Sequence, residues 1–223
     1  MSNERAEIRR NESDAASRIG WLYLLSSAAA VITGLAFLIA AVAFFFSLFQ
    51  SGADASWLAS VQNNWLELII KLHANLPGVQ ETQLYQLNLL DISLMTLIGF
   101  LFIGLYAALR RTSKIWAIVA LVQPFIGIVL FIATHSAGRS AILTAVATVS
   151  IIMLRSEQFG KPIGWVGILA GVLLLAGDIG LSMIHSLVLA VLTGVGYVGL
   201  TTWLFWSADH LYRLGKTQIA RRS

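Results

Sequence analysis

Apolar residues in this chain come in long blocks rather than alternating with polar ones. Six blocks stand out, near residues 19–49, 84–109, 114–134, 138–154, 163–183 and 186–207. A helix needs about 17–25 predominantly apolar residues to cross a bilayer, so each block predicts a membrane span. The expected fold class is all-α: an integral membrane bundle of six transmembrane helices. One domain covers residues 19–209, between basic tails at 1–18 and 210–223. The first block runs well past the roughly 7–15 residues of a signal-peptide core, so it reads as a retained span despite the basic lead and Ala53-Asp54-Ala55. Residues 1–17 are charged without an apolar face and read as a solvated tail.

The connection at 50–83 is the one long loop, and it carries its own pattern. Trp57, Val61, Trp65, Ile69, Leu72 and Leu76 recur at three or four residues, opposite Asn64, Glu67, Lys71 and Asn75. This spacing predicts an amphipathic helix over about 54–76, with Asp54 as its cap and Pro77-Gly78 as its stop. It would lie on the outer membrane surface as an interfacial strut; a mobile lid is the other role for such a segment.

Charge sets the orientation. Thirteen of the fifteen Lys and Arg residues fall in the two tails and in the second and fourth connections, and two fall on the other side. Cytoplasmic segments retain basic residues, so both termini are expected in the cytoplasm and the chain in the cell inner (plasma) membrane. Tryptophan supports this: Trp21, Trp116 and Trp165 open spans one, three and five, and Trp203 and Trp206 close the sixth. All five are expected at headgroup depth on the cytoplasmic side. The net charge of +4 sits beside the membrane, so anionic lipid headgroups, not nucleic acid, are the expected partners. A second copy of the chain or another membrane protein is a further expected partner. With no cysteine, disulfides, thiol catalysis and Cys-based metal sites are excluded.

Glycines at helical spacing, Gly160, Gly164, Gly167 and Gly171 in one block and Gly194, Gly196 and Gly199 in another, predict close helix packing. Gln123-Pro124 marks a polar break midway along the third span that predicts a kink.

Ionisable groups inside spans are costly and face protein, which makes them the candidates for chemistry. Asp91 lies in the outer half of span two, with Asn88 and Tyr85 one and two turns before it on the same face. Asp178 lies in the outer half of span five, with His185 two turns further. His135 and Arg139 bracket the tight turn between spans three and four. All seven are expected at similar depth. Arg139 neutralising Asp91 or Asp178 is the structural reading; a ligand pocket is the functional one. The preferred functional reading is non-enzymatic binding of a small hydrophobic ligand, lipid or partner helix. The alternative is a small-solute or ion transporter or channel, and the third is an intramembrane metal-dependent hydrolase. No H-E-x-x-H or G-x-S-x-G occurs, so no catalytic residue, metal or other cofactor is assigned.

The segment Leu105-Tyr106-Ala107-Ala108-Leu109-Arg110-Arg111-Thr112-Ser113-Lys114-Ile115-Trp116-Ala117 closes one span with Leu-Tyr-x-x-Leu and opens an alanine-rich span after a basic turn. In this it resembles a family of uncharacterised bacterial six-span membrane proteins. Arg18-Ile19-Gly20-Trp21-Leu22-Tyr23-Leu24 is similar too, with the glycine one place early. The resemblance implies the six-span layout and carries over no catalytic residue.

Overall fold

The structure, a computed structural model, describes residues 2–50, 89–133, 135–183 and 187–220. Every described element is a helix: α1 (Ser2–Gln50), α2 (Leu89–Leu109), α3 (Lys114–Ala133), α4 (His135–Arg155), α5 (Lys161–Met183) and α6 (Leu187–Ala220). Five contain stretches long and apolar enough to cross a membrane: Arg18–Val42, Lys114–Phe131, Ala137–Arg155, Lys161–Asp178 and Val188–Ala220. The second contributes a shorter apolar stretch, Ser93–Leu109, within a helix of 21 residues. At ~1.5 Å per residue that helix is about 31 Å long, close to the ~30 Å of a hydrocarbon core. The expected amphipathic helix at 54–76 lies outside the described residues.

Short connections force α3, α4, α5 and α6 each to run back along the helix before it. After α2, Thr112 N–H and Ser113 N–H both donate to the Leu109 carbonyl (2.9 and 3.3 Å), and the Ser113 carbonyl accepts from Ala117 N–H to start α3. Between α4 and α5, Ser156 Oγ accepts from Gln158 N–H, and the Gly160 carbonyl accepts from Ile163 N–H. Pro162 follows in the first turn of α5, where its missing N–H costs no helical hydrogen bond.

Packing then closes these antiparallel pairs into a ring. Each helix packs on its neighbours in sequence, and α6 packs back along α1 over the longest interface. Gly20 of α1 lies against Gly215 and Ile219, Ser27 Oγ donates to the Ala208 carbonyl at 2.8 Å, and Gly34 faces Phe205. At the far end of the same seam, Gly194 abuts Phe44 and Phe45. The start of α1's span, the end of α2, the start of α3, the end of α4, the start of α5 and the end of α6 therefore share one end of the bundle. Arg18, Arg110, Arg111, Lys114, Arg155, Lys161, Arg213 and Lys216 all gather there, and we refer to it as the basic end.

The outside of the ring is more apolar than parts of its inside. Ile39, Val42, Ile115, Val129, Leu169, Val172 and Val188 are exposed, whereas Ser26, Ser27, Thr33, Ser150, Thr193 and Ser207 are buried. Lipid is as apolar as leucine, so membrane helices associate through small and hydroxylated side chains that permit close contact. Thr193 and Ser150 satisfy their hydroxyls on the carbonyl four residues back in their own helices. Three of the four glycines in the first stripe have the expected role: Gly164, Gly167 and Gly171 of α5 face Leu154, Ser150 and Ala147 of α4, whereas Gly160 lies in the connection before α5.

Two expectations need correction, those for Trp203 and Arg139. Trp21, Trp116, Trp165 and Trp206 are exposed, but Trp203 is fully buried. It is a core side chain because α6 continues to Ala220, which moves Trp203 well inside the span. Residues 2–17 are helical and continuous with the first span, so α1 has no break at the tail. His135 and Arg139 do not bracket the turn: α4 begins at His135 and Arg139 lies one turn within it. The helix α3 runs through Pro124 without interruption.

Candidate functional site

Arg139 and Asp178 meet because α4 and α5 are antiparallel neighbours in a fixed register. Gly171 against Leu143 and Ala147, and Gly164 against Ser150 and Leu154, set that register. Continued toward the end opposite the basic residues, it brings residue 139 level with residue 178. Arg139 Nη2 donates to Asp178 Oδ1 in an ion pair, and Ser140 Oγ donates to Oδ2 at 2.9 Å. Both carboxylate oxygens are thus engaged. The side chains are only 17% and 7% exposed, so the pair is held in a low dielectric, where either charge alone would be costly.

The pair forms one end of a hollow in the middle of the ring, to which all six helices contribute. Its walls include Thr33 from α1, Phe102 from α2, Phe131 from α3, Val146 from α4, Leu174 from α5 and Trp203 from α6. The accessible volume is about 70 Å³, and the whole hollow, counting its open part, is about 890 Å³. A water needs about 10–15 Å³ on the first measure, so the space exceeds a single solvent molecule severalfold. Along α4 the lining runs from Arg139 to Val146, which spans about 10.5 Å. Tyr197 of α6 lies close enough to feel both charges of the pair. Its ring is fixed by Phe37 (centroids 6.4 Å, stacked) and Phe44 (5.8 Å, tilted) from α1. The hollow is therefore largely apolar along its length, with Thr33 and Trp203 as polar points in its walls, and charged where Arg139 and Asp178 enter.

Of the seven candidate residues, the structure brings Arg139 and Asp178 together. Asp91 belongs to α2, three residues before Leu94 of the lining, and His135 is the first residue of α4; their side chains lie outside the description. Tyr85, Asn88 and His185 lie outside the described residues. Among the described residues no group of three His, Asp or Glu side chains is placed to share a metal ion. Sequence reasoning missed Ser140, Thr33, Tyr197 and Trp203. Ser140 stood next to Arg139 and was legible as a second donor on the same turn. Thr33 and Tyr197 carried no signal, because a hydroxyl in an apolar block does not reveal which way it faces.

Neither a family model, nor a curated protein, nor a solved structure matches the chain. The functional reading therefore rests on the geometry of the ring.

Proposed function

We propose that this multi-pass protein binds one small amphipathic molecule in the central hollow. The apolar body would lie between α2, α4 and α6, and the polar head would meet Arg139 and Asp178. The observation that carries the reading is a hollow with largely apolar walls and one charged end, the common form of a small-molecule site. The ion pair is neutral as a unit, so a hydroxyl, amide or zwitterionic head would exchange hydrogen bonds with it without burying net charge. In the same proposal the chain lies in the plasma membrane with both termini cytoplasmic. The basic end then rests on anionic headgroups, which attract basic residues beside a membrane.

Native mass spectrometry of protein extracted in mild detergent tests the ligand. We expect a bound species of lipid-like mass on the wild-type chain. Its loss is expected on Val146→Phe, which fills the hollow from a wall position that is already buried. A wild-type protein carrying no such mass under conditions that preserve its fold would remove the reading.

A further inference from the structure

A polar stripe on α6 leads from the hollow toward the basic end, and no described residue satisfies it. Trp203, Ser207 and His210 follow one another at four and three residues, so they share one face of the helix. Trp203 Nε1, Ser207 Oγ and His210 Nδ1 are each buried without a hydrogen-bond partner among the described residues. Their neighbours show that this face looks toward α4 and α5. Trp203 Nε1 and Ser150 Oγ both crowd the space over Gly167, and His210 stacks on Phe159 in the α4–α5 connection at 5.3 Å.

Two contrasts make the stripe unusual. Thr144, Thr148, Ser150, Thr193, Thr202 and Thr217 all close their hydroxyls onto the carbonyl four residues back. Ser207 does not, and neither do the buried Thr33 and Thr201; Ser207 differs from them in sharing its helix face with two further unpartnered groups. An indole N–H has no such option, because it cannot reach its own helix backbone and can only donate. Burial also falls along the stripe: Trp203 and Ser207 are fully buried, while His210 is partly exposed. The stripe thus begins at a wall of the hollow and ends where solvent is within reach.

We propose that Trp203, Ser207 and His210 line a narrow hydrated column that joins the central hollow to the basic end of the bundle. Its occupant is a file of water molecules. Seven residues of helix cover about 10.5 Å, and waters hydrogen-bonded at about 2.8 Å would fill that length with three or four. Each would find two or more polar partners, as a buried water requires: the three α6 groups, the Ser150 hydroxyl and its own neighbours. The column gives the hollow an aqueous route on the side away from Arg139 and Asp178. It stands whether or not the hollow binds an amphipath.

The absence of cysteine from the chain makes the test direct. Single variants Ser207→Cys and Ser150→Cys change an oxygen for a sulfur at two buried points of the column. Neither serine lines the hollow itself. In lipid vesicles, Ag⁺ reacts with thiols that meet water, and the thiols left over are counted after denaturation. Both variants are expected to react at least about tenfold faster than Ala190→Cys, a buried control that reacts only through local opening. Ser207→Cys and Ser150→Cys reacting as slowly as Ala190→Cys would overturn the column. If one variant fails to fold, the rate of the other decides in the same way.

Discussion

Asp178 is held by two donors from adjacent positions on one helix, Arg139 and Ser140. Removing one partner of a buried ion pair strands the other charge and costs about 3–5 kcal/mol, whereas replacing both by apolar groups of similar size is often neutral. Arg139→Met alone and Asp178→Leu alone should therefore each lower the thermal midpoint in detergent strongly, and the double variant should recover most of the loss. The same double variant should lose the bound amphipath, because the polar end of the hollow is gone. A double variant as unstable as either single one would show that the two side chains do not act as a unit. Ser140→Ala should have a smaller effect, about 1 kcal/mol, since one hydrogen bond to a charged group is lost while the ion pair remains.

At the scale of the helices, close approach and not side-chain polarity decides which pairs form. A Cβ on Gly138 would run into the backbone of Phe131 in α3, and a backbone cannot move aside as a flexible side chain can. Gly138→Ala should therefore push α3 and α4 apart and cost about 1–3 kcal/mol, beyond the ~1 kcal/mol of helix propensity that alanine returns. Gly99 is the contrasting case. The nearest atoms to its added Cβ are the Phe125 ring at 3.6 and 3.7 Å, an ordinary contact. Gly99→Ala should be neutral or stabilising by up to ~1 kcal/mol. Thermal unfolding of the two variants side by side checks the argument; the same sign for both would contradict it. Exposed helix pairs matter little by comparison: Asp209 and Arg213 lie 2.9 Å apart, with side chains 45% and 74% exposed, and such a pair contributes about 0.3–0.5 kcal/mol.

The six described helices form a ring in which the start of the first span and the end of the last lie on one side. That parity predicts the outcome of topology mapping. Reporters at residue 223 and in the 110–113 turn should read the same compartment, and a reporter at residue 134 should read the opposite one. The clustering of basic residues at the first two positions predicts that the shared compartment is the cytoplasm. A reporter at residue 223 that disagrees with one in the 110–113 turn would break the ring, since α6 could no longer run antiparallel to α1.

The fold was legible in the chain because its cause is local and repetitive. A block of about 20 apolar residues has one stable answer in lipid, a helix that satisfies its own backbone. Gly164, Gly167 and Gly171 were legible as contacts for a similar reason, since only close packing rewards a stripe of small residues. The inner face was not legible. Lipid and protein interior are equally apolar, so Leu169 outside and Leu174 inside follow the same rule, and no periodicity separates them. Trp203 shows the consequence, because an indole near the end of an apolar block reads as an interface marker until the length of α6 places it in the core. Thr33 and Tyr197 became part of a site only when α6 closed on α1, a contact between the two ends of the chain that no local pattern announces. Arg139 and Asp178 fall between these cases. Their cost in the membrane made them visible as charges that need a partner, while the register of α4 against α5 decided which partner each one took.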